Sequence, residues 1–203
     1  MTIAPGTTAF YDAWAVSGEE SPRSAMSRHF ESAFAAGARV LDVGCGKGRD
    51  VVALLDMRFD AWGVEPNDAM REHAIARDPR MRGHVAAAAL PELGQPFGGG
   101  FDGVVCSAVL MHLSADALPA SMAALAAVSR PQARILIALP EMQSALLADG
   151  RDPDGRAFFN HAPDRVQDLL AAFGFALRRC EDVPTPPTDT RWRVLLFERE
   201  ATA

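Results

Sequence analysis

Apolar and polar positions along this chain fall into short runs of two alternating kinds. Arg39 to Val43, Ala61 to Glu65, Phe101 to Ser107 and Arg134 to Leu139 are compact and largely apolar, as expected of strands covered on both faces. Between them lie stretches with helical spacing. One runs through Val51, Val52, Leu54 and Leu55, one starts at Pro66-Asn67-Asp68 and carries Met70, Ala74 and Ile75, and one spans Ala115 to Val128. A further strand is predicted over His84 to Ala88, ending at Leu90-Pro91. Strands that alternate with helices imply a parallel sheet with right-handed crossovers.

The rhythm changes at both ends. Ala162-Pro163 opens a helix through Phe173, and Gly174 closes it. Phe175 to Val183 and Arg191 to Glu198 then read as two strands joined by the proline-rich Pro184 to Thr190, which predicts a hairpin at the edge of the sheet. Upstream, Thr8 to Val16 reads as a short helix with Phe10, Tyr11 and Trp14 on its apolar side, broken by Ser17-Gly18. Ser21-Pro22 looks like the cap and first turn of a second helix, which carries Met26, Phe30, Ala33 and Phe34 on one stripe and is capped by Gly37. No repeat or domain-scale linker interrupts the chain, so residues 1–203 are expected to form one domain. Within it, the helices of residues 1–36 are a candidate lid on a core of residues 37–203.

At 203 residues such a domain can bury a substantial core. A net charge of -6 argues against a standing nucleic-acid surface, which relies on clustered Lys and Arg. Cys45, Cys106 and Cys180 are widely spaced, which fits reduced thiols and a cytoplasmic location rather than a disulfide frame or a zinc site. The first residues show no signal core, and no apolar run approaches the length of a membrane span. A monomer and a homodimer are equally compatible with the sequence.

The candidate chemistry centres on Asp42-Val43-Gly44-Cys45-Gly46-Lys47-Gly48, a strand end feeding a glycine-rich turn and then a helix. Glycines at alternate positions admit left-handed backbone angles and let a ligand press on the main chain. A dinucleotide fingerprint would place its third glycine one residue later, and a phosphate loop would follow Lys47 with Ser or Thr. Asp42 would repel a pyrophosphate but suits a ligand that carries an ammonium group. The turn resembles motif I, Asp-x-Gly-x-Gly-x-Gly, of the class I S-adenosylmethionine-dependent methyltransferases. Further motifs follow in order: Glu65 about twenty residues on, Phe101-Asp102, and Val109-Leu110-Met111-His112-Leu113 after the fourth strand.

The resemblance implies a Rossmann-like class I methyltransferase fold, an α/β architecture with a mostly parallel seven-stranded sheet, an antiparallel C-terminal hairpin and helices on both faces. It also implies S-adenosylmethionine as cofactor, held by Asp42, Gly44, Cys45, Gly46, Glu65, Pro66, Ala87, Ala88 and Ser107. Glu65 would accept the two ribose hydroxyls, and Tyr11 or Arg28 would close over the methionine end. The pattern departs from the family at adenine. Where most relatives carry an acid in Asp-Ala-x-x-Leu-Pro this chain has Ala86, which leaves the backbone N–H of Ala87 and the flanks of Pro66 and Leu90 to hold the ring. The missing charge-assisted hydrogen bond is worth about 1.5–3 kcal/mol at most.

For the acceptor, no Asn-Pro-Pro-Tyr of base-amino methyltransferases follows the fourth strand, no Pro-Cys nucleophile is present, and no acid cluster suggests a metal. A small-molecule acceptor is what remains. His112 is the candidate general base, Trp192 and Phe159 are candidate pocket walls, and His161 reads as a cap or rim residue. Two rivals stay open: an inactive S-adenosylmethionine-binding or protein-partner module, and a nicotinamide-dependent oxidoreductase on a related sheet.

Overall fold

The computed structural model describes residues 4–17, 26–183 and 190–201. The expected cap at Ser21-Pro22 and most of the proline-rich connection, 184–189, lie outside them. Seven strands form one sheet in the order β3-β2-β1-β4-β5-β7-β6. These are β1 (Arg39–Val43), β2 (Asp60–Val64), β3 (Val85–Ala86), β4 (Phe101–Ser107), β5 (Ser129–Met142), β6 (Phe175–Val183) and β7 (Thr190–Arg199). β1 to β5 pair in parallel, and β7 runs antiparallel to both β5 and β6. The last two strands thus form the expected hairpin, with its second strand inserted inside its first.

Neighbouring residues of the central strands serve opposite faces, because side chains alternate across a sheet. Leu41, Val104, Ile135 and Phe197 pack with Met122 and Leu125 of α5 (Leu118–Val128) and with Val166 and Leu170 of α6 (Pro163–Ala171). Val40, Val105, Leu136 and Leu196 face Phe30 of α2 (Phe30–Ala33), Val51 and Leu54 of α3 (Arg49–Asp56) and Ala74 of α4 (Asp68–Arg77). Helices therefore cover both faces, which is why β1, β4 and β5 read as apolar runs rather than alternating ones. α1 (Pro5–Val16) lies apart from these layers and contacts α4. Among the described residues no helix is long and apolar enough to cross a membrane.

Three expectations about local structure are corrected. The second helix ends at Ala33, one residue before the expected Phe34, which is already extended and takes the cap position in place of Gly37. Phe34 turns onto the sheet over Gly103, where an added Cβ would stand 2.5 Å from two of its ring carbons, and tertiary packing outweighs the helical stripe. Gly37 instead takes a left-handed φ of 73° in the turn that leads into β1. The third strand is only two residues long, because beyond Ala86 the chain leaves the sheet toward Leu90. β5 starts at Ser129, and its register against β4 shifts across Arg130-Pro131-Gln132-Ala133, where Gln132 holds a positive φ of 62°.

Candidate functional site

The glycine turn is pinned to the end of the neighbouring strand. The backbone N–H groups of Gly44 and Cys45 both donate to Val64 O, at 2.8 and 3.0 Å, and Gly48 N donates to Cys45 O at 2.9 Å. Gly44, Gly46 and Gly48 all have left-handed φ angles. A Cβ on Gly44 would meet Val109 Cγ2 at 2.4 Å, so the turn and the loop after β4 close on each other only because this side chain is absent. Gly48 forms the left-handed cap from which α3 departs.

Glu65 locks onto that turn. Its Oε2 accepts from Gly46 N and its Oε1 from Asn67 N, each at 3.0 Å, while Arg71 donates to its backbone carbonyl at 2.7 Å. Asn67 caps α4 by accepting from Met70 N, and its Nδ2 donates to Asp12 of α1. Burial raises the Glu65 carboxyl above the ordinary range, and the N–H groups of Asn67 and Gly46 and the charge of Arg71 oppose that. Each oxygen already holds one backbone donor and keeps acceptor capacity for more.

These residues wall a cavity of about 840 Å³, within the range of small-molecule and cofactor sites. Gly44, Cys45, Gly46, Glu65, Pro66, Ala88, Ser107 and His112 all line it. Leu90 lines it beside Ala88 and Ala89. Asp42 and Ala87 stand elsewhere: Asp42 is buried at the end of β1 and does not line the cavity, and Ala87 is exposed. Trp192 packs against the sheet face that carries Phe30 and Phe34, away from the cavity, whereas Phe159 lines it. Arg28 is also elsewhere, with its Nε donating to His29 at 3.1 Å. His161 is buried rather than on a rim, and its Nε2 lies 3.0 Å from both Leu110 O and Leu113 O, clasping the turn that carries His112.

α1 roofs the cavity. Phe10, Tyr11 and Trp14, which the pattern assigned to an apolar packing face, line it. Tyr11 Oη lies 2.9 Å from His112 Nε2, Thr7 Oγ1 accepts from Ala157 N at 2.8 Å, and the Arg156 guanidinium stacks over Phe10 at 4.4 Å. Lys47 is 2% exposed and sets its ammonium 4.5 Å from the Trp14 ring centroid. The sequence marked Lys47 only as evidence against a phosphate loop and Arg156 only as part of a polar stretch, and gave Asp12 and Thr7 no role. A lysine inside a glycine turn, facing a tryptophan on a leading helix, was the one signal available.

Asp42 carries a pronounced electrostatic signature. Burial, then the nearby Asp50, pushes its carboxyl well above the usual range, and Arg49 opposes them. An acid whose folded-state pKa lies above its unfolded value loses stability as pH rises from the ordinary aspartate range through the raised value. Asp42→Asn, which cannot ionise, is therefore expected to gain melting temperature over wild type as pH is raised from about 4 to about 8, with the two converging at the acid end. A thermal-melt series across pH checks this, and a constant offset would contradict it.

The comparisons agree with this geometry. A family model described as a methyltransferase domain matches residues 19–179. Burkholderia thailandensis 1,6-didemethyltoxoflavin-N1-methyltransferase, solved with 1,6-didemethyltoxoflavin and S-adenosylhomocysteine bound, superposes with a TM-score of 0.74 at 22% identity, covering 95% of this chain and 84% of that one. A [4+2]-cyclase superposes at 0.69 with 16% identity, over 97% of this chain and 94% of its own. The glycine N-methyltransferase of Oryctolagus cuniculus is 34% identical over 79 residues, 34% of this chain and only 27% of that relative's length. The chain belongs to the methyltransferase-domain family, and its fold is that of the class I S-adenosylmethionine-dependent methyltransferases.

Proposed function

We propose that the protein is an S-adenosylmethionine-dependent methyltransferase that acts on a small-molecule acceptor. The observation that carries this reading is Glu65, a buried carboxylate fixed by two backbone donors against a glycine cradle, with acceptor capacity left at the cavity wall. Such a group suits a pair of adjacent ribose hydroxyls. Pro66, Ala88 and Leu90 offer flat apolar walls for a purine, with no acid beside them at Ala86. Asp42, behind the turn, does not contact the cavity, and its burial disfavours the charge with which it could attract an ammonium. Lys47, whose side chain stands at the cavity wall, suits the carboxylate of the same amino-acid tail.

S-adenosylmethionine supplies a methyl group activated by a sulfonium. The chain's part is to orient that group, exclude water and receive any proton the acceptor must release. α1 and the loop that carries Ala157 and Phe159 give the enclosure. His112 lines the same cavity as Glu65 and is the histidine placed to take part.

A second reading is an adenosyl-ligand-binding protein that transfers no methyl group. The cyclase on the same fold and the missing adenine acid favour it. Titration calorimetry with S-adenosylmethionine, S-adenosylhomocysteine and NAD separates the possibilities. Binding of the first two in roughly the micromolar range, without NAD, is the expected result. If neither adenosyl ligand binds, both adenosyl readings fail, and binding of NAD alone would favour an oxidoreductase. Methyl loss from bound S-adenosylmethionine to any member of a phenol, amine and thiol panel separates the two adenosyl readings.

A further inference from the structure

Two backbone groups of one residue position the helix of Tyr11 and the ring of His112, whose side chains meet in the cavity. Ala157 N donates to Thr7 Oγ1 at 2.8 Å, which docks the helix carrying Tyr11, and Ala157 O stands 2.7 Å from His112 Nδ1. A carbonyl can only accept, so Nδ1 carries a proton. In the neutral ring Nε2 is then the lone-pair nitrogen, and the Tyr11 hydroxyl 2.9 Å away must donate to it. The phenol covers Nε2, and its oxygen, which also accepts a hydrogen bond from Arg156, keeps one lone pair for a ligand on a residue that lines the cavity. The ring cannot turn away. His161 holds the carbonyls of Leu110 and Leu113, and Phe159 N donates to Met111 O at 2.8 Å, so residues 157–161 grip both sides of the His112 turn.

We propose that Tyr11 is the catalytic residue that receives the acceptor's proton, and that His112 acts through it as the final proton sink. The proposal rests on the methyl-transfer reading and adds a named contact atom, Tyr11 Oη. As the bond between the acceptor heteroatom X and the methyl carbon forms, the X–H bond breaks. Its proton passes to Tyr11 Oη while the phenol's own proton passes to Nε2, and the electron pair of the broken carbon–sulfur bond stays on sulfur. Sulfur loses a positive charge as the imidazole gains one, so the enclosed cavity keeps its charge through the step. In a region of low dielectric that avoids creating an uncompensated ion. The imidazolium proton later leaves to water.

The charged and titratable groups facing the pair are Arg156 and Asp152, from the loop beside His112, and Glu65 on the Tyr11 side. Burial lowers the His112 pKa and raises that of Tyr11, so both are neutral before reaction. A pair that begins neutral has the proton positions that the relay requires.

Tyr11 is the chain's only tyrosine, so its signals need no assignment. The test is ¹⁵N imidazole and ¹³Cζ-tyrosine NMR across pH on wild type, Tyr11→Phe and His112→Gln, each loaded with S-adenosylhomocysteine. The expected result is a neutral His112 in the Nδ1–H tautomer, an Nε2 resonance that shifts to its unbonded position in Tyr11→Phe, and an upward move of the His112 pKa in that variant. The sign follows because a donor to Nε2 favours the neutral ring. An Nε2–H tautomer, an imidazolium at neutral pH, or an Nε2 signal indifferent to Tyr11→Phe would overturn the relay. If Tyr11→Phe does not fold, an unmoved Tyr11 Cζ shift in His112→Gln overturns it instead. Calorimetry on the wild-type sample keeps the parent reading separate, since intact S-adenosylhomocysteine binding with the wrong tautomer removes the relay alone.

Discussion

Gly44→Ala is expected to cost about 2–5 kcal/mol of folding stability, the largest loss of any single methyl addition in the cavity wall. Two effects combine at this residue. A φ of 74° is strained for any residue that carries a Cβ, and that Cβ would stand 2.4 Å from Val109 Cγ2. Strain can relax only if the turn pulls away from the loop after β4. That movement breaks the hydrogen bonds from Gly44 N and Cys45 N to Val64 O. For a domain of this size the loss corresponds to roughly 5–15 °C in melting temperature. Differential scanning calorimetry checks it. Gly46→Ala is the useful contrast, since its Cβ would meet only Met70 Cε at 3.6 Å, leaving backbone strain as the main cost. Equal losses in the two variants would mean that the Val109 contact contributes nothing.

Glu65→Ala is expected to weaken S-adenosylhomocysteine binding at least tenfold, about 1.4 kcal/mol, through two separate losses. The ligand loses a charge-assisted acceptor pair, and the protein loses the carboxylate that fixes Gly46 N and Asn67 N. Glu65→Gln divides the loss differently, because the amide keeps one acceptor oxygen and the side-chain shape but has neither the charge nor the second acceptor. An intermediate affinity for Gln credits the difference from Ala to the retained oxygen and shape, whereas an affinity equal to Ala's assigns the whole loss to the charge and second acceptor together. Unchanged affinity in both variants would remove Glu65 from the site. Isothermal titration at one ionic strength is the measurement.

The sheet's centre was legible because β1 and β4 are covered on both faces, and an apolar run between turn residues has few other fates. The predicted limits at Arg39–Val43 and Phe101–Ser107 are those observed. Boundaries failed where a distant residue decided them. Phe34 leaves its helix for Gly103, and nothing within the helix announces that partner. Of the candidate cofactor contacts, those on the turn and on the loops after β2 and β4 line one cavity, since strand ends of a parallel sheet converge there. Ala87 and Asp42 stand away from it, Ala87 exposed just past the end of β3 and Asp42 buried within β1. The anchors of the roof were the illegible part. Thr7, Asp12 and Arg156 meet their partners across 55 to 150 residues of sequence, where short-range periodicity carries no information.

The roof helix also sets a thermodynamic bond between the two halves of the chamber. Within α1, Asp12 and Trp14 reach Asn67 and Lys47, while Thr7 and Tyr11 reach Ala157 and His112. One rigid element that touches both compartments would couple the binding of occupants that both seat it. Whatever affinity a nucleoside in one half lends its neighbour by seating the helix, the neighbour must return in full, since such coupling is reciprocal. A product that leaves one half would loosen its companion by the same factor, so discharge of the spent chamber would proceed as a linked event.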